Sequence, residues 1–149
     1  MTRLALLVLA LTSGFILAAP VPKPKVNDEE AMQGKWKVVE LQHDGKPANK
    51  DYKEAVATID KDQFSVQRGG DGKERDDVMG YKIDPAKKEI EFTPPQENAD
   101  TALKGLYKLD GDTLTIVIGM GNPGVRPTEV KPGPGINHLK LERMKEVKK

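Results

Sequence analysis

The sequence predicts an all-β chain folded as one small up-and-down antiparallel barrel of about eight strands. Three observations carry this. From Gly34 onward, short segments rich in β-branched and aromatic residues alternate with clusters of Gly, Asp, Asn and Pro. Within those segments apolar residues recur at every second position, so Leu114, Ile116 and Ile118 share one face, as do Ile90 with Phe92 and Phe64 with Val66. The connections are short, which favours neighbours in chain order, and each apolar face is too narrow to form a core alone. Closing the sheet buries one face of every strand and removes the exposed edges. A length of 149 residues holds one such domain and leaves no room for a second.

The elements before the barrel read as follows. Arg3, the apolar run from Leu4 and the small pair Ala18-Ala19 have the order of a secretory signal peptide, residues 1–18. Pro20 disfavours a cut after Ala19, so cleavage is expected after Ala18. The run is short for a membrane span, which needs ~20 residues. No integral span is expected after cleavage, and the place expected for the mature chain is extracytoplasmic, periplasmic or secreted. Residues 19–33 form a proline-rich tether followed by a helical turn, which Asn27 caps, Glu30 reciprocates and Gly34 ends.

The barrel domain is expected over residues 34–143. The first strand is Lys35–Gln42, ended by His43-Asp44-Gly45-Lys46. Ala55–Asp60 and Gln63–Arg68 pair about Asp60-Lys61-Asp62, and Gly69 to Gly72 form a loop. Asp77–Ile83 meets Glu89–Thr93 across Asp84 to Lys88. Lys104–Leu109 and Thr113–Gly119 close about Asp110-Gly111-Asp112, and Asn137–Arg143 is last. Residues 144–149 are a charged tail.

Composition excludes several chemistries. There is no cysteine, so thiol catalysis, thiolate zinc sites and iron–sulfur clusters are out. The formal charge is +1 with the leader and, since Arg3 is the leader's one charged side chain, zero without it. That balance argues against nucleic acid as a partner. Gly119 to Gly124 matches the spacing of a dinucleotide fingerprint, but Pro123 and Pro127 block the helix such a site needs, and no βαβ unit surrounds it. It reads as a mobile loop. His43 and His138 are the two histidines; both fall near strand ends, and no metal site or cofactor is expected. Asp60-Lys61-Asp62 and Asp110-Gly111-Asp112 read as turns rather than calcium loops. Ser65, the one serine beyond the leader, lies mid-strand with no nucleophile elbow. No residue pattern points to an enzyme.

Gly34-Lys35-Trp36 opens the first strand and Arg143 closes the last. This pairing resembles the pattern shared by lipocalins, and the resemblance implies a guanidinium lying across the indole at the closed end, with Gly34, Trp36 and Arg143 as closure residues. The contact is a cation–π attraction worth about 0.5–2 kcal/mol. Longer stretches resemble a lipocalin-like domain family of unknown function, best known from planctomycetes. They are the leader end Leu17 to Lys23, Gln33 to Val39, the turn Asp44-Gly-Lys-Pro-Ala48, and Lys82 to Lys88. They continue through the hairpin Gly105-Leu-Tyr-Lys-Leu-Asp-Gly-Asp-Thr-Leu-Thr-Ile116, the loop Arg126-Pro-Thr-Glu-Val130 and the strand Leu139 to Arg143. Leu106 and Val130 depart from the isoleucine and phenylalanine of that pattern, and Leu-Glu-Arg stands at its close. The second lipocalin signature motif is missing. The resemblance implies a lipocalin-like fold and no particular chemistry.

Arg126 and Glu129 flank a proline after a glycine-rich stretch. Two readings stand: an open-end loop whose arginine meets an anionic ligand, or a pair that pins the loop to the barrel rim. Arg126, Glu129, Tyr81 and Tyr107 are the candidate ligand-contacting residues. Two functions remain open. One is a binding protein that holds a small apolar ligand inside the barrel. The other is a cell-envelope interaction module with a packed barrel, acting through its outer surface.

Overall fold

Tight turns set the strand ends in the computed structural model, which describes residues 27–48, 52, 54–67, 76–95, 101–121 and 124–145. The expected leader, the tether before Asn27, the Gly69 to Gly72 loop and residues 146–149 of the tail lie outside the described residues. Among the described residues there are nine strands: β1 (Gly34–His43), β2 (Lys46–Pro47), β3 (Val56–Asp60), β4 (Gln63–Gln67), β5 (Asp76–Asp84), β6 (Glu89–Thr93), β7 (Leu103–Asp110), β8 (Thr113–Gly119) and β9 (Ile136–Arg143). β1 and β3 to β9 run in chain order, every pair antiparallel, and β1 also pairs with β9, which closes an eight-stranded barrel. The two-residue β2 is an addition, hairpinned onto the end of β1 through Asp44 and Gly45.

Alternation fills the interior. Trp36, Ala57, Ile59, Phe64, Ile90, Phe92, Tyr107, Leu114, Ile116 and Leu141 belong to one buried cluster. In β1 the ladder with β9 slips between Val38 and Glu40, so Val39 is the extra residue of a bulge. The slip shifts parity by one and returns Leu41 to the inner face, opposite Leu139.

Ahead of the barrel, α1 (Asp28–Met32) is one short turn, capped as expected by the Asn27 side chain, which accepts from the Glu29 N–H at 3.2 Å. Gly34 follows the C-cap, where a helix-ending glycine was expected. The helix ends at Met32, the chain turns out through an extended Gln33, and Gly34 with φ +115° already begins β1. Met32 is fully buried and its carbonyl accepts from Trp36 Nε1 at 2.8 Å. The helix is thus a plug at one end of the barrel.

The two ends differ in their connections. The β3–β4, β5–β6 and β7–β8 turns, all on the α1 side, are tight. On the other side the connections between β1 and β3, β4 and β5, β6 and β7, and β8 and β9 are long.

Candidate ligand cavity

At the plugged end every polar group of note has a partner. β1 and β9 place Trp36 directly opposite Arg143. The Arg143 guanidinium carbon lies 4.1 Å from the centroid of the Trp36 ring, within the range of cation–π attraction. Its Nη1 donates to the Gln33 carbonyl at 2.9 Å and its Nη2 to the Ala31 carbonyl. Arg143 therefore ties the last strand to the last turn of α1 and satisfies two carbonyls there. Gly34 sits beside it: a Cβ at Gly34 would come within 3.5 Å of Nη1.

Tyr81 and Tyr107 belong to this plug. The Tyr107 hydroxyl donates to Asp28 Oδ2 at 2.6 Å, and Lys88 Nζ meets the same oxygen at 2.5 Å. Burial pushes the Tyr107 phenol well up, and the Asp28 carboxylate beside it adds to the rise. Burial also pushes the Asp28 carboxyl up, but the bonds from Lys88 and Tyr107 outweigh it and hold the group below its ordinary value. The Tyr81 hydroxyl accepts from Gln33 Nε2 at 3.0 Å, while Gln33 Oε1 takes the Lys61 N–H at 2.6 Å. Both phenols anchor α1.

The open end is hollow. A cavity of about 630 Å³ reaches into the barrel there, walled by Val38, Leu41, Phe64, Val66, Met79, Phe92, Leu103, Ile118 and Leu139. Its size falls within the ~300–1,000 Å³ usual for small-molecule sites. Phe64 and Phe92 meet edge to face, ring centroids 5.1 Å apart, and form its floor towards the packed half. Among the described residues, the polar side chains that line it are Gln42, His43, Lys46, Tyr52 and Asn137, gathered on one arc. The register explains the arc, because His43 pairs with Lys46 and Gln42 pairs with His138, the neighbour of Asn137. Asn137 Oδ1 is buried and, among the described residues, has no hydrogen-bond partner.

Arg126 and Glu129 lie elsewhere. Arg126 Nη1 is 2.8 Å from Glu89 Oε2 and Nη2 is 2.6 Å from Glu91 Oε1, two outward side chains of β6. The Arg126 guanidinium, together with Lys82, holds the Glu91 carboxyl below its usual range. Glu129 does not join them; it pairs at 2.8 Å with exposed Lys131. The pinning reading thus holds for Arg126 and is corrected for Glu129, and the anchor is the outer wall rather than the rim.

The segment that carries Arg126 is built from the glycines of the false nucleotide fingerprint. A Cβ at Gly119 would lie 1.7 Å from the Val125 carbonyl oxygen, and one at Gly124 would lie 2.7 Å from that of Gly119. The glycines therefore permit close backbone crossing, and Gly121 and Gly124 form a bridge. Of the segment expected to be a mobile loop, residues 122 and 123 lie outside the described residues, while Gly124 and Val125 pack back across Gly119 and begin a strap. The outward-facing Val117 and His138 beside it are buried. The strap's far end is held where Asp44 Oδ1 accepts from the Gly135 N–H at 2.7 Å. Gly45 abuts Gly133 there, leaving no room for a side chain.

Among the described residues no cluster of three His, Asp or Glu could hold a metal, and no helix is long and apolar enough to cross a membrane. Compared with family models, curated proteins and solved structures, the chain matches none. Sequence reasoning missed Asn137 and Lys46. Asn137 had a signal, since it shares the inward parity of Leu139 and Leu141 yet is polar. Lys46 had only its place in the Asp44 to Ala48 turn.

Proposed function

We propose that this chain is an exported, lipocalin-like binding protein, related to the planctomycete domain family, that carries a small apolar ligand in the open end of its barrel. The observation that supports this is the contrast of filling: one end plugged by α1, Trp36 and Arg143, the other a cavity of about 630 Å³ with an apolar wall. A barrel that acted only through its outer surface would gain stability by filling that space, because each missing contact costs packing energy. Export rests on the charge, apolar and small-residue order of residues 1–19.

A neutral fluorescent probe, N-phenyl-1-naphthylamine, tests the reading. It should bind saturably at one site per chain. Combining Val66→Phe with Leu139→Phe, which fills the cavity, should abolish binding while Trp36 emission shows the fold intact. Absence of saturable binding to the wild-type protein would exclude an apolar ligand in the barrel.

A further inference from the structure

The ligand's head group can be inferred from the mouth of the same cavity. We infer that the site takes a single-chain amphiphile with an anionic head, a carboxylate being the simplest, chain inward and head at Lys46 and His43. This rests on the cavity binding a ligand at all.

Among the described residues, the polar groups of the wall are confined to the arc where β1 ends and β2 and β9 begin, so a bound molecule has one apolar end and one polar end. On that arc the charged side chain is Lys46, and among the described residues no aspartate or glutamate lines the wall. Among the described residues, two acids next to this arc in sequence are committed elsewhere. Asp44 accepts from the Gly135 N–H, and Glu40 lies on the outer face, where it accepts from Gln42 Nε2 at 2.6 Å and sits 3.7 Å from His138 Nδ1. Among the described residues Lys46 makes no ion pair, so its charge is uncompensated at the edge of an apolar hollow, where low-dielectric walls strengthen its field. Asn137 completes the arc. Its carboxamide, with Oδ1 unpartnered, can turn either its acceptor or, after a half-turn about its last side-chain bond, its NH2 group towards a head group. A neutral or cationic head would leave Lys46 unused or repelled.

Displacement of N-phenyl-1-naphthylamine by dodecanoate, dodecanol and dodecyltrimethylammonium, each below micelle-forming concentrations, measures the preference directly. Dodecanoate should displace best and the cation worst. Lys46→Gln should weaken dodecanoate about tenfold, the size of one lost charged hydrogen bond, and leave dodecanol nearly unchanged. Lys46 is exposed on a two-residue strand, so the variant keeps the fold. Added salt should narrow the gap between dodecanoate and dodecanol. Equal displacement by all three, or an anion preference that survives Lys46→Gln, overturns the inference. Either result leaves the apolar cavity standing, whereas failure of the neutral probe itself removes both.

Discussion

The two ends of this barrel are built from the same strands and solve opposite problems. At the plugged end the strands are joined by tight turns, and the polar groups facing α1 are matched: Arg143 to two carbonyls and an indole, Tyr107 to Asp28, Tyr81 to Gln33. At the open end the connections are long, the interior is hollow, and Asn137 Oδ1 has no partner among the described residues. Buried polar groups in folded proteins are satisfied as a rule. A complete network therefore points to a structural duty, and the polar arc beside the apolar hollow is where the proposed ligand would be met. This separates Tyr81 and Tyr107, which hold the plug, from Asn137 and Lys46, which face the cavity.

The contrast breaks most visibly at Arg143. Arg143→Ala removes the stack on Trp36 and leaves the Ala31 and Gln33 carbonyls unpaired, an expected loss of about 3 kcal/mol. Arg143→Lys should recover part of it, since an ammonium cannot stack and bridge both carbonyls. Chemical unfolding followed by Trp36 fluorescence measures both. A loss of about 0.5 kcal/mol or less would mean that Arg143 is a solvated strand-end charge. Next in size is Tyr107→Phe, which deprives Asp28 of one donor and should cost about 1–2 kcal/mol. Binding of the neutral probe should be unchanged in that variant, because the hydroxyl lies outside the cavity.

Acid should sharpen the comparison by loosening the molecule in two steps. Burial lowers His138 below its ordinary 6.5, with Glu40 opposing and Lys140 adding to the shift. The unfolded chain therefore binds this proton first as pH falls. The stability held by the neutral ring is complete above 6.5 and is lost as pH drops through the folded-state value, at up to about 1.4 kcal/mol per pH unit. Asp28 is shifted below its ordinary 3.8, so its contribution to the plug is present above that pH and is lost as pH falls through the still lower folded value. Unfolding midpoints across a pH series should show the two windows. His138→Gln should flatten only the upper one, and a single acid transition unaffected by that variant would contradict the assignment.

The smallest expected effect lies at the open end. Asn137→Leu removes an unpartnered buried oxygen, so stability should change by no more than about 0.5 kcal/mol or rise slightly. A loss comparable to that of Tyr107→Phe would show Asn137 to be a structural residue and would erase the distinction between the ends.

The sequence by itself determined the all-β class, the eight barrel strands to within a residue or two, and the pairing of the first strand with the last. These are local signals: period-two alternation, turn residues with the backbone freedom they need, and the chain order of a meander. It also held the Asn27 cap and the Trp36–Arg143 contact, the latter through a resemblance. Only the tertiary structure decided what fills the closed end and that the other end is hollow. That depends on where inward side chains from eight strands meet, and on partners as distant in the chain as Asp28 and Tyr107. The glycines from 119 to 124 show the same limit. Their spacing matched a dinucleotide fingerprint and the nearby prolines argued for a loose loop instead, while the fold uses Gly119 and Gly124 to let one backbone cross another. Arg126 was legible as a pinning residue, but Glu89 and Glu91 were not legible as its partners, because alternation tells which residues face outward and not which segment will fold over them. β2 escaped notice because two residues, one of them proline, carry no period at all.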